Sequence, residues 1–288
     1  MSNGILNILK PPGLTSHDVV SFVRRRFGIK RVGHAGTLDP AAAGVLPVFL
    51  GQSTRLIEYL SEADKSYRAE LKFGYATDTG DDTGQIIHQQ SFAMPDKAAI
   101  QSVLGGLIGE SLQTPPMFSA IKVGGKKLYE LAREGLTVER KARKIYISQI
   151  DLVKILGDGF VFDLTCSKGT YIRSICTKIG EELSIPAVMC FLVRTRVGNF
   201  LLENTSTMEE IEAYGEDLLL PQDSAIAHLN KLKLTEAVNR DFQNGKKFML
   251  DTLIPVGELV RLYSQDDILS GIGLVQTNKI ISPVKVFH

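Results

Sequence analysis

The chain has 288 residues, 44% of them hydrophobic, enough to bury the core of one large domain or of a large and a small one. Its 33 basic and 32 acidic side chains leave a net charge of +1, which does not by itself point to a nucleic-acid partner. The apolar runs exclude a membrane span: the longest, such as Ala41 to Leu50, contain proline and are too short to cross a bilayer.

MSNGILNILKPPG lacks the charged start and long apolar run of a secretory leader, so a cytoplasmic protein is expected. After Pro11-Pro12-Gly13, the run Thr15-Ser16-His17-Asp18 forms a capping box. It opens a predicted helix with Val19, Val20, Val23 and Phe27 on one face and Gly28 at its end. Arg24, Arg25, Arg26, Lys30 and Arg31 form a first basic cluster and lead into RVGHAGTLDPAAAGVLPVFLGQSTRL at 31–56.

Within that stretch Asp39-Pro40 is a turn or helix-start pair. Taken alone it predicts a helix through Ala41, Ala42 and Ala43, with Asp39 as its N-cap, kept ionised by the helix dipole. The surroundings suggest more than a cap. Gly33 and Gly36 bracket His34 and allow close approach of a ligand, while His34 and Thr37 bring small hydrogen-bonding groups near the acid.

Residues 65–74 alternate, with Tyr67, Ala69, Leu71 and Phe73 on one face and Ser66, Arg68, Glu70 and Lys72 on the other, the pattern of a half-buried strand. The acidic run Thr77–Gly84 is expected to be a solvated hairpin, since it lacks the distal bidentate glutamate of a calcium loop, and Gln85 to His88 return as strand. Pro95-Asp96 opens a helix through Ile100, Val103, Leu104 and Leu107. TPPMFSAIKVGGKKLYELAREG at 114–135 reads as an extended segment, a Gly124-Gly125 turn and a short helix closed by Gly135. Around it lies a second basic cluster: Lys122, Lys126, Lys127, Arg133, Arg140, Lys141, Arg143 and Lys144.

Strands are predicted at 144–155 and 160–166, then a helix with Ile172, Ile175, Ile179 and Leu183 buried and with Tyr171 and Arg173 at its first turn. A strand near 189–200 and a helix near 207–214 follow, and from about 231 the pattern becomes short strands broken by glycine. Cys166, Cys176 and Cys190 lack the spacing of a disulfide framework or zinc site. Phosphate-loop, dinucleotide and H-E-x-x-H motifs are absent, so neither metal nor cofactor is expected.

GHAGTLDPAAAGVLPV at 33–48, LKPPGLTS at 9–16, KSYRAELKFGYATDTGD at 65–81 and CSKGTYIRSI at 166–175 together resemble the TruB family, the bacterial tRNA pseudouridine 55 synthases. They occur in the family's order and are joined by PPMFSAIKVGGKKLYELAREG, so the resemblance runs over roughly residues 5–200. It implies an α+β catalytic domain over 1–228, built on a large mixed, mostly antiparallel sheet flanked by helices. A small β-rich, PUA-like RNA-binding domain is implied over 229–288.

The implied reaction isomerises uridine 55 in the T arm of tRNA on a flipped-out base, without cofactor or guide RNA, in a monomer. Asp39 matches the essential aspartate, Arg173 the arginine paired with it, and Tyr67 the active-site tyrosine. His34 matches a histidine that holds displaced loop nucleotides, and Tyr171 and Leu192 match positions lining the base pocket. Lys10, Gly36 and Thr37 fall in supporting positions. The competing readings are an RNA-folding module without chemistry, a relative working inside a guide-RNA particle, and a hydrolase using Asp39. The last lacks a base placed to activate water.

Overall fold

The computed structural model describes residues 3–288. The chain opens with β1 (Gly4–Lys10), helix α1 (Ser16–Phe27), β2 (Val32–His34) and β3 (Ala43–Leu50). Helix α2 (Ile57–Ser61) leads to β4 (Lys65–Phe73), the acidic hairpin β5 (Tyr75–Thr77) and β6 (Ile86–Gln89), helix α3 (Lys97–Gly106) and β7 (Gly109–Gln113). A basic insertion follows, carrying β8 (Lys122–Val123), β9 (Lys126–Lys127) and α4 (Leu128–Arg133). Next come β10 (Arg143–Ile155), β11 (Gly159–Cys166), α5 (Ile172–Glu182), β12 (Ala187–Val197), β13 (Phe200–Leu201) and α6 (Met208–Tyr214).

The large sheet has nine strands in the order β1-β3-β12-β4-β11-β10-β7, with β2 added to β3 and β13 to β12. Its path is antiparallel except where β12 runs parallel to β3. The α+β class with a large mixed sheet is as expected. The C-terminal unit is a five-stranded sheet, β14 (Asn230–Lys233), β15 (Phe248–Met249), β16 (Leu259–Tyr263), β17 (Leu269–Val275) and β18 (Ile280–Val286), in the order β14-β16-β17-β18-β15.

Helix α1 forms where its capping box predicts. The Thr15 N–H donates to the Asp18 carboxylate at 2.8 Å and the Asp18 N–H to the Thr15 hydroxyl at 3.1 Å, while Gly28 closes the helix at φ 63°. Val19, Val20 and Val23 pack on Leu6, Ile8, Leu46 and Val48, each burial contributing about 1.5–3 kcal/mol, which fixes α1 against the strands that carry the cleft. A second core joins α3 and α5 to the sheet through Ile100, Leu104, Phe160, Phe162, Ile172 and Ile179.

One expectation needs correction. No helix runs through Ala41 to Ala43: the Ala42 N–H bonds the Asp39 carbonyl at 3.1 Å, closing one turn, and β3 begins at Ala43. Strand pairing overrides the local alanine preference because Gly44, at φ 113°, lies against Arg194 of β12; a Cβ there would sit 2.2 Å from the Arg194 carbonyl oxygen. The β-rich C-terminal unit also contains helix α7 (Glu236–Gln243), capped by the Thr235 side chain on the Val238 N–H. Its buried stripe is narrow, Val238 and Phe242 four residues apart, and apart from an exposed Ala237 the rest of the helix is polar.

Candidate active site

Asp39 sits in the segment between β2 and β3, which neighbouring elements hold through its backbone. The Ser16 hydroxyl accepts from the Leu38 N–H at 2.9 Å and donates to the Leu38 carbonyl at 3.3 Å. The Gly13 N–H bonds the Pro40 carbonyl at 2.8 Å, and the Ala35 N–H bonds the Pro47 carbonyl at 3.1 Å. Lys10, fully buried, donates to the carbonyls of Leu14 at 2.6 Å, Pro11 at 2.9 Å and Pro40 at 3.2 Å. LKPPGLTS is therefore a brace beneath the acid. Burial pushes the Lys10 ammonium down to about 8, an effect that the nearby Asp39 carboxylate opposes.

The Asp39 side chain is 40% exposed, so the carboxylate can be reached from solvent. Its Oδ2 lies 3.1 Å from Nε of Arg173, whose side chain is only 5% exposed. The same guanidinium donates to the carbonyls of Thr79 at 3.0 Å and Phe118 at 2.8 Å, and its Nη1 lies 3.6 Å from the Asp81 carboxylate. One cation thus joins the Asp39 segment, the acidic hairpin and the basic insertion. Burial raises the Asp39 pKa above the usual carboxylate value; the Arg173 charge pulls it down and Asp81 pushes it up. A carboxylate held this way is more basic than a surface aspartate, as reacting acids are. No helix dipole assists it, since the helix of the cap reading does not form.

Tyr67 stands on β4 directly opposite Arg194 of β12 and Leu164 of β11. Burial raises its phenol pKa, the Arg194 charge lowers it, and Asp39 raises it further, which places the phenol within the fields of both charged groups. Leu192 is buried in the same core as Leu38 and Ala42 of the Asp39 segment. Tyr171 is the N-cap of α5, and both its backbone groups are taken by one side chain: its N–H donates to Gln113 Oε1 at 2.8 Å and its carbonyl accepts from Nε2 at 3.1 Å. His34 ends β2 rather than lying in a free loop; burial lowers its pKa, and so does the charge of Arg194. Thr37 is exposed and Gly36 adopts φ 89°, and both contribute carbonyl oxygens to Arg194.

Asp39, Arg173, Tyr67 and Lys10 are thus brought together, with Gly36 and Thr37 beneath them. His34, Tyr171 and Leu192 are held beside them by backbone and core contacts. Among the described residues no three His, Cys, Asp or Glu side chains are grouped to hold a metal ion.

The sequence reading missed three participants. Asp81 looked like one of several solvated turn acids, yet its side chain is 14% exposed and turned to Arg173. Gln113 carried no signal. Arg194 did: in LVRTRV it falls two residues after Leu192, on the buried face of a strand, where an arginine is out of place.

The N-terminal-domain model of the TruB family pseudouridylate synthases matches residues 24–172. The chain belongs to this family. A tRNA pseudouridylate synthase B C-terminal domain model matches residues 173–227, and one for the C-terminal part of pseudouridine synthase II TruB matches 231–287. A tRNA pseudouridine synthase B of Alkaliphilus oremlandii is 46% identical over 282 residues, 95% of this chain and 93% of that one. Another, of Caldanaerobacter subterraneus subsp. tengcongensis, is 43% identical over 99% of both chains. Among solved structures, one of an H/ACA RNP bound to a substrate RNA containing 2'-deoxyuridine is similar at TM-score 0.78 and 25% identity, over 99% of this chain and 85% of that chain. The TruB-family chain is accordingly a pseudouridine synthase, an isomerase.

Proposed function

We propose that this TruB-family enzyme isomerises uridine 55 in the T arm of free tRNA to pseudouridine, with Asp39 as the reacting acid. The observation that carries the reading is the Asp39 carboxylate itself: accessible, with its pKa raised, and held at 3.1 Å by a buried arginine. Its relatives at 46% and 43% identity are named as tRNA pseudouridine synthases, which supports tRNA as the substrate class.

The reaction breaks the N1–C1′ bond, turns the uracil, and forms a C5–C1′ bond; C5 gives up a proton and N1 takes one, so atoms balance without a co-reactant. The carboxylate of Asp39 can address ribose C1′, uracil C6 or a ribose proton. The uridine leaves its stack to reach it, at a cost of a few kcal/mol, offset by phosphate contacts from the basic insertion and by stacking on Tyr67. The C-terminal sheet touches the acceptor end.

The test uses purified enzyme and bare, unmodified tRNA with no guide RNA. Carbodiimide treatment and primer extension should give a stop at position 55, absent when that position carries cytidine. Product that needs an added guide RNA, or that appears elsewhere while 55 stays unmodified, would overturn the assignment.

A further inference from the structure

Arg194 is 1% exposed, yet among the described residues no carboxylate lies within ion-pair distance of it. Its guanidinium is spent on backbone carbonyls: Nε to Val45 at 2.8 Å, Nη2 to Gly36 at 3.1 Å and Nη1 to Thr37 at 3.4 Å. An unpaired buried cation is costly, and an apolar residue of similar volume generally leaves a fold as stable or more so. The placement of this one is informative. Two of its carbonyls belong to the segment that ends at Asp39, the third to β3 just beyond it, and its strand position is directly opposite Tyr67.

We propose that Arg194 is a positioning residue for the isomerisation: its planar guanidinium holds the Gly36 and Thr37 carbonyls at the strand position opposite Tyr67, so that the acid and the ring meet the base in a fixed relation. Lysine cannot do this, because an ammonium offers its donors from a single point while the guanidinium spreads them over a rigid fork. The inference rests on the proposed function of Asp39 and Tyr67.

The charge also acts on the tyrosine. Arg194 lowers the phenol pKa against burial, while the other groups facing the phenol, Cys166 and Asp39, raise it. Lys10, Lys65 and His34 feel Arg194 as well, so activity against pH alone would mix several titrations. A probe on Tyr67 separates them.

The experiment takes Arg194→Met and Arg194→Lys and measures tRNA affinity and the single-turnover rate. It also follows the fluorine shift against pH in full-length enzyme carrying 3-fluorotyrosine at position 67. For Arg194→Met we expect affinity within about 3-fold of the parent and a rate lowered about 100-fold, the scale of a small misplacement at a reacting centre. The Tyr67 midpoint should move up. Arg194→Lys should fold, give a rate between the two and shift the midpoint less; it decides the matter if the methionine variant does not fold.

Parent-like rates in either folded variant, or an unmoved Tyr67 midpoint in a folded Arg194→Met, would overturn the inference. So would a midpoint that Arg194→Lys moves down. Asp39→Asn in the same assay keeps the two failures apart. Product from that variant sinks the proposed function, whereas an inactive Asp39→Asn beside a full-speed Arg194→Met sinks only the role of Arg194.

Discussion

The Asp39 segment, from Ala35 to Ala42, and the basic insertion that follows β7 meet at the same arginine, yet they are held by opposite means. The first is fixed from several directions: by Lys10, Ser16 and Gly13 on one side, by Pro47 and Arg194 on the other, and by Arg173 on its carboxylate. The second leaves Lys122, Lys126, Arg133 and Lys141 exposed and is joined to the body by the Phe118 carbonyl on Arg173. Reacting atoms need one placement, since an error of an ångström costs about 100-fold in rate. Phosphate contacts act over a Debye length of about 8 Å and tolerate movement. The molecule spends its buried hydrogen bonds where placement counts and its exposed charge where reach counts.

That contrast can be broken by mutation. The largest effect on binding belongs to the insertion: Lys122→Ala, Arg133→Ala and Lys141→Ala together should weaken tRNA affinity about 10-fold and flatten the slope of log affinity against log salt by about two to three. The single-turnover rate at saturating enzyme should stay within about 3-fold. A collapse of that rate would mean the insertion shapes the site rather than holding the RNA.

A smaller effect is expected at Asp81. Its charge raises the Asp39 pKa and competes for Arg173, so Asp81→Asn lowers that pKa and moves the acid limb of kcat/KM to lower pH. A limb that moved to higher pH would contradict the geometry.

The smallest effect is on stability. A carboxyl whose folded pKa lies above its unfolded value contributes stability that is present below the unfolded pKa and is lost as pH rises through the folded one. The Asp39 pKa is raised, so ionised Asp39 is a net cost at neutral pH. Asp39→Asn, which leaves Arg173 its contact with Asp81, should melt slightly higher at pH 7. The difference should close below about pH 4. A variant that melts lower at pH 7 would show that the Arg173 pair outweighs the burial.

Much of this was legible in the residues, for reasons that differ from place to place. The capping box of α1 and the alternation of β4 are local signals with local causes, and both elements form where the pattern puts them. The helix expected after Asp39 fails because a contact far away in sequence, Gly44 on Arg194, sets the backbone there. Asp81 was illegible for a related reason: nothing in a run of turn acids shows which one will face a buried arginine on a distant helix. Asp39 and Arg173 were found by the motifs around them, and the fold supplied their distance.

The account turns on Asp39, and one measurement addresses it directly. Asp39→Asn should bind tRNA with an affinity within about 3-fold of the parent, because the phosphate contacts that dominate binding lie elsewhere. In single-turnover carbodiimide mapping under the same conditions it should give no pseudouridine at position 55. Pseudouridine accumulating there from the folded, tRNA-bound variant would contradict the account.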